Sequence, residues 1–226
     1  MRGITMKRKV LSFVLIGMFV LLCSCGAQPS VEGDELIKKA REDYKSLESA
    51  KVIMTNTETD EVEQTFEFKY DEKGFLTYSY EGKNGDDVYA QYNNGVENFT
   101  YQDGKFEYLQ KGDDSFEVYS KDVTHPQADE GLIIFNASAV NEANKSEKNG
   151  ITNVHHEYDV DKLETREDLT EFSVDYYFDK DDNLIYFVEC SKINECGTEQ
   201  LHSYKVEITE KNAVNKVENT VEKYKN

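Results

Sequence analysis

The stretch Thr65-Phe66-Glu67-Phe68-Lys69-Tyr70-Asp71-Glu72-Lys73-Gly74-Phe75-Leu76-Thr77-Tyr78-Ser79-Tyr80 decides the fold. Phe66, Phe68 and Tyr70 alternate with polar residues, an acidic turn with Gly74 follows, and then Leu76, Tyr78 and Tyr80 alternate in the same way. Side chains on a strand point alternately to its two faces, so this period of two marks paired strands with one buried and one wet face, as antiparallel sheets allow. The pattern recurs at Phe172, Val174, Tyr176 and Phe178, and again at Tyr204, Val206 and Ile208. Gly74, Gly85, Gly95, Gly104 and Gly112 punctuate the first half at intervals of 11, 10, 9 and 8 residues. Asn94-Gly95 and Asp103-Gly104 are short-hairpin signals, because both turn residues must tolerate positive φ. The reading is a β-meander from residue 51 onward.

Before the meander, residues 34–49 carry a helical stripe of Ile37, Ala40, Tyr44 and Leu47, widened by Leu36. Asp34 is placed to cap it, and Glu35 and Lys39 form a favourable i,i+4 pair. So short a helix needs a partner surface, and the sheet supplies one. Residues 124–148 interrupt the strands. His125-Pro126 stops one, residues 128–143 read as one or two short helices, and residues 144–150 as a polar connector. Strands resume at 151–159, 169–178, 183–192 and 200–209. Residues 212–226 are polar, with one edge strand at 214–217 before fraying. Residues 70–76 and 178–184 share one pattern, an aromatic, an acidic turn, Gly or Asn, then an apolar strand start, which is one hairpin chemistry used twice.

Composition bounds the function. The 226 residues hold 45 Asp+Glu against 26 Lys+Arg, a formal charge of −19, which is the wrong sign for neutralising nucleic-acid phosphates. Apolar residues at 38% with 15 Tyr and 12 Phe support a real core. Only two prolines and no apolar run of about 20 residues exclude proline-rich and multi-span classes.

The N-terminus reads as an export signal. Arg2, Lys7, Arg8 and Lys9 precede an apolar run of 13 residues from Val10 to Leu22. That is too short to span a hydrocarbon core of about 30 Å and fits a signal-peptide apolar region. Met6 serves equally well as the start. Leu22-Cys23-Ser24-Cys25-Gly26 resembles the lipobox of bacterial lipoproteins, with Cys25 at the lipidated position and Cys23 a departure at the second position. The other reading is an ordinary secretory signal with two incidental cysteines. The lipobox implies residues 1–24 as signal peptide, 25–33 as lipidated Cys and tether, 34–212 as a single domain and 213–226 as a polar tail. It also implies a bilayer partner through acylated Cys25, on the extracytoplasmic face of the cell membrane. Removing residues 1–24 leaves a mature chain of −23, which anionic lipid repels.

The lipobox, the amphipathic helix and the long meander with its acidic hairpins together resemble the LolA/LppX-type lipoproteins. That resemblance, by pattern over roughly residues 34–210, implies an α+β, mostly β fold: an open half-barrel of about ten antiparallel strands, with the N-terminal helix and the mid-chain helical segment on its concave face. It implies carriage of a lipid or lipopeptide. Fold likeness sets an expectation about function and no more.

Catalytic chemistry is hard to find. His155 and His156 are adjacent on a strand and point to opposite faces, so they do not chelate one metal together, and no ligand spacing for Zn appears among them, His125 and His202. No G-x-S-x-G, P-loop or dinucleotide fingerprint is present. Asp179-x-Asp181-x-Asn183 fails as an EF-hand, because Leu184 and Cys190 stand where Gly and Glu are needed, and reads as a hairpin with room for loose Ca²⁺ binding. No cofactor, metal site or enzyme activity is expected. With a turn at Ile193-Asn194, Cys190 and Cys196 would face each other and close a small disulfide, the other reading being two free thiols. The aromatics either build the core or line a concave cleft, with Phe66, Phe68, Tyr78, Tyr80, Phe172, Val174, Tyr176 and Phe187 as cleft candidates. Which face is concave is not written in the sequence. The leading function is binding or carriage of a hydrophobic ligand. The alternative is an envelope interaction or sensing module with a filled core and a protein partner.

Overall fold

The computed structural model describes residues 30–85, 87–163, 168–195 and 197–225. The export signal, Cys25 and Cys196 lie outside these residues. Helix α1 spans Asp34–Lys45 and is followed by strands β1 (Ser49–Asn56), β2 (Val62–Tyr70), β3 (Leu76–Asn84), β4 (Asp87–Asn93), β5 (Glu97–Gln102) and β6 (Lys105–Gln110). After a long connector come β7 (Val140–Lys148), β8 (Ile151–Tyr158), β9 (Leu169–Phe178), β10 (Leu184–Glu195) and β11 (Thr198–Thr209).

All eleven strands form one antiparallel sheet in the order β6-β5-β4-β3-β2-β1-β11-β10-β9-β8-β7, open at β6 and β7. The mostly β half-barrel is therefore the architecture observed, with eleven strands where about ten were expected. Two meanders meet at the β1–β11 pair, where Val52 faces Ile208 and Met54 faces Val206. This order has a consequence. The chain leaves β6 at one edge and re-enters β7 at the other, so residues 111–139 must cross the whole sheet. At about 4.8 Å per strand spacing the crossing is roughly 48 Å, well within the reach of 29 residues at about 3.3 Å each.

The connector crosses the inner face, the one α1 also covers. Its polar and aromatic contacts fall in sheet order. Tyr119 packs edge-on against Tyr78, His125 stacks on Phe66 with ring centroids 5.0 Å apart, and Phe135 lies 5.9 Å from His156. Residues 128–143 are not α-helical as expected. The connector holds only two short 3₁₀ turns, Pro126–Ala128 and Glu130–Leu132, and residues 140–148 are edge strand β7. Asn136, Ser138 and Asn141 break helical periodicity, and Asn136 Oδ1 instead accepts from the Ser138 N–H in a local turn.

Helix α1 is shorter than the stripe that predicted it. It begins after Gly33, whose φ of +77° and close approach leave no room for a side chain; a Cβ there would lie 2.5 Å from Val154 Cγ1. The helix buries Ile37, Ala40, Arg41 and Tyr44 against sheet and connector.

The C-terminal residues, expected to fray, instead cross the outer face. The Asn212 N–H donates to the Ser49 carbonyl, Lys69 Nζ to the Asn215 carbonyl, and Ser79 Oγ bonds Thr220 Oγ1 at 2.7 Å. Val221 is then buried with Ala90 and Phe99, and Tyr224 stacks on Tyr101 at 4.4 Å. No strand forms at 214–217; Val214 and Val217 are simply buried.

Candidate ligand site on the inner face

The register fixes what the inner face presents. Phe66 pairs with Val52 and Tyr80, Phe68 with Ala50 and Tyr78, Tyr176 with Val154 and Phe187, and Val174 with His156 and Glu189. All eight sequence-predicted cleft residues therefore share one face, and it is the face under α1 and the connector. They are packed, however. Phe68, Val174, Tyr176 and Phe187 are fully buried and belong to one core with Ile37, Tyr44, Ile133 and Phe135. Tyr80 is only half-buried, and Phe172 lines a shallow pocket of about 350 Å³ with Glu157, Cys190 and Lys192. The expected open cleft is a filled interior, because the edge-to-edge connector that the strand order requires lies in it.

A small set of polar contacts holds this plug. Arg41 Nη1 donates to the Ile133 carbonyl at 2.8 Å, and its Nη2 lies 3.4 Å from Glu130 Oε1. Lys45 Nζ reaches the same carboxylate at 3.0 Å, and this pairing keeps Glu130 below its ordinary range despite the opposing cost of partial burial. The hydroxyls of Tyr158 and Tyr176 are 3.1 Å apart, and Tyr176 donates to the Ile134 carbonyl. Tyr44 donates to the Gln127 carbonyl at 2.5 Å. Burial raises all three phenols, so each stays a donor. His125, enclosed by Phe66, Tyr78 and Tyr119, is pushed down to about 4 by desolvation and sits neutral in the aromatic stack.

Among the described residues, four buried side-chain atoms on this face have no hydrogen-bond partner: Tyr78 Oη, His156 Nδ1, His202 Nε2 and Glu189 Oε2. Buried polar groups are ordinarily satisfied, and each exception costs about 1–3 kcal/mol. Glu189 is the most severe. Its carboxyl is pushed up to about 8 by desolvation, so it is protonated at neutral pH. Its register neighbours are Val174 and Tyr204, and His202 lies on the same face of β11, bonded through Nδ1 to the Tyr204 hydroxyl at 3.3 Å. Sequence reading passed over Glu189 because one acid among 45 carries no signal; only its parity, between Phe187 and Ser191 on the inward side, marks it.

The remaining predicted sites fall as follows. His155 and His156 do point to opposite faces. His155 Nδ1 meets Asp175 Oδ1 at 3.1 Å outside, while His156 Nε2 donates to the Glu32 carbonyl at 2.9 Å inside. Among the described residues no three His, Cys, Asp or Glu side chains stand where they would hold a metal together. The Asp179 turn is a hairpin, with Oδ1 accepting from the N–H groups of Asp181 and Asn183, and Asp71 does the same for Lys73 and Phe75. The turn expected at Ile193-Asn194 is not there. Strand β10 runs on to Glu195, which pairs with Thr198, so Cys190 faces Ser203 and is a free thiol.

An apolar pocket of about 230 Å³ opens at one rim between α1 and the sheet. Tyr44, Leu47, Ile133, Leu184 and Ile208 line it, so it reaches the inner core beside the connector. No helix among the described residues is long and apolar enough to cross a membrane.

No family model matches the chain, and no curated sequence does. Among solved structures the chain is similar to LprF from Mycobacterium bovis, at 10% identity and a TM-score of 0.47, over 85% of this chain and 98% of that one. The fold assignment rests on the sheet order and register given above.

Proposed function

We propose that this protein is an extracytoplasmic lipoprotein, anchored through Cys25, that takes one hydrophobic ligand with a polar head onto the inner face of its half-barrel when the connector 111–139 moves aside. The observation that carries this reading is the set of four orphaned polar atoms, all facing inward, on the mostly aromatic and aliphatic inner face of β1–β3 and β8–β11. A permanently packed core gains nothing from them, whereas a fatty or lipopeptide chain with a hydrogen-bonding head would partner Glu189, His202 and His156 while its tail lies along the aromatic bed. The cover supports the same reading. It has almost no regular structure, so it is held by side-chain packing and by the hydrogen bonds at Arg41, Tyr44 and Tyr176 rather than by a strand ladder, and it can leave without breaking the sheet. The rim pocket at Leu184 and Ile208 gives the tail its way in.

Native mass spectrometry of the protein refolded from detergent-free denaturant with palmitate or palmitoyl-lysophosphatidylglycerol tests this. One-to-one adducts that Glu189→Leu weakens support it. A clean apo mass at saturating amphiphile overturns it in favour of a filled-core interaction module, which the burial of every cleft candidate except the half-buried Tyr80 would then explain. The anchor is tested separately: incorporation of an alkyne-palmitate label that Cys25→Ala abolishes.

A further inference from the structure

The outer face of β4, β5 and β6 carries a second aromatic surface that the inner-face reading does not use. Tyr92, Phe99, Phe106 and Tyr108 lie on this face and border a groove of about 670 Å³ whose other wall is the C-terminal turn Thr220–Tyr224 and its flanks. The rings are neither coplanar nor stacked. Phe99 meets Tyr92 at 44°, Phe106 at 51° and Tyr108 at 46°, with centroids 5.0 to 6.2 Å apart. Rings tilted in this way line a trough rather than the flat platform on which a sugar ring lies. Two carboxylates stand at the trough, Glu97, which accepts a hydrogen bond from the Tyr108 hydroxyl at 3.2 Å, and Glu222 on the turn.

The chain's own cation already occupies one of these faces. Lys225 lines the groove, and its Nζ lies over the Phe106 ring, 5.6 Å from the centroid. An aromatic trough with flanking carboxylates holding an ammonium group is the arrangement that recognises organic cations, since the ring quadrupole attracts positive charge and the acids supply a counter-ion. Lys225 is exposed and ends a short 3₁₀ turn, so a ligand displaces it without disturbing the sheet. The net charge of −19 further concentrates cations at the surface.

We propose that this groove is a binding site for a quaternary ammonium group, held among Tyr92, Phe106 and Tyr108 over the buried Phe99, with Glu97 and Glu222 as counter-charges, and that Lys225 is its built-in competitor. The site stands apart from the inner face, so either one is open to refutation without the other.

The test is titration of the whole chain with choline, read from the ring-proton shifts of Tyr92 and Tyr108 and from calorimetry. The uncharged isostere 3,3-dimethyl-1-butanol and chitotriose serve as comparison probes. Choline is expected to saturate with a Kd on the order of 1 mM, the scale set by a few partly exposed ring contacts. The isostere and the sugar are expected not to saturate. Tyr108→Leu and Glu97→Gln each weaken choline about three- to tenfold. Both positions are partly exposed, so folding is not at stake, and unchanged thermal midpoints check this. Lys225→Met tightens binding, which loss of a merely structural lysine would not do. Failure of choline to saturate overturns the proposal. So does equal binding of the uncharged isostere, preferential binding of chitotriose, or an unchanged or weakened affinity in Lys225→Met.

Discussion

The two parts of the sheet turn most of their apolar side chains to opposite faces. Across β1–β3 and β8–β11 the apolar side chains point inward, under α1 and the connector 111–139. Across β4–β6 the inward positions include the polar Gln91, Asn93, Asn98 and Thr100 beside Tyr89 and Leu109, with bonds such as Gln91 Nε2 to Asn98 Oδ1 at 3.1 Å. There most of the apolar residues point outward, as Ala90, Tyr92, Phe99 and Tyr101 under the C-terminal turn. A continuous antiparallel sheet has no reason to keep one face buried along its whole width. Each strand buries whichever side another piece of chain covers, and in this protein both covers are segments without long helices or strands. The inner cover completes a large core and leaves orphaned polar atoms beneath it. The outer cover completes a small core and leaves an open trough beside it.

Truncating one buried side chain in each core sets the two against each other. Phe187→Ala removes a fully buried side chain from the large core and is expected to cost about 3–5 kcal/mol of unfolding free energy in urea. Val221→Ala, the centre of the outer cluster, is expected to cost about 1.5–3 kcal/mol and to leave the inner core's hydrogen-exchange protection unchanged. Equal losses of inner protection in both variants would mean that the two cores are one cooperative unit.

The polar content of the inner face separates the two cores by pH. Folding raises Glu189 from 4.5 to about 8, so the folded chain keeps a proton that the unfolded chain has released, and stability falls as pH rises between those values. Folding lowers His125 from 6.5 to about 4, so stability also falls as pH drops across that range. Burial lowers His156 as well, which acts in the same sense as His125. The opposed slopes offset each other below pH 6.5, and above it Glu189 acts without them. Urea melts from pH 6.5 to 8 are expected to lose about 1.4 kcal/mol per pH unit from this carboxyl. Glu189→Gln is expected to remove that slope, and a slope retained in the variant would assign it elsewhere. At the small end, Lys216→Ala breaks only an exposed pair with Glu218 on the outer cover and is expected to leave the midpoint unchanged.

Period-two alternation made the strands legible one by one, and the repeated acidic turn made the hairpins at Asp71 and Asp179 legible too. Strand β7 was hidden because an edge strand as polar as 140–148 shows no alternation; its charges guard the edge rather than fill a core. The short tail was misread for a related reason. Val214, Val217 and Val221 fall at i, i+3 and i+7, but three apolar residues in a polar stretch are too few to hold a helix, and only the short 3₁₀ turn Thr220–Tyr224 forms; the segment is ordered by the surface it covers. The eight cleft candidates share one face, but being on the inward face and being open to a ligand are different properties.

The amino-acid pattern alone determined that this chain is an amphipathic helix followed by antiparallel strands, because alternation and turn chemistry are local and each residue carries its own share of them. The strand order came only with the tertiary structure, since the pairing of β1 with β11 joins residues about 150 apart and no local signal encodes it. From that order followed the edge-to-edge connector, the filled inner face, the inward burial of Glu189 and the outer trough under Lys225. Where an acid or an aromatic ring ends up depends on which distant segment lies over it.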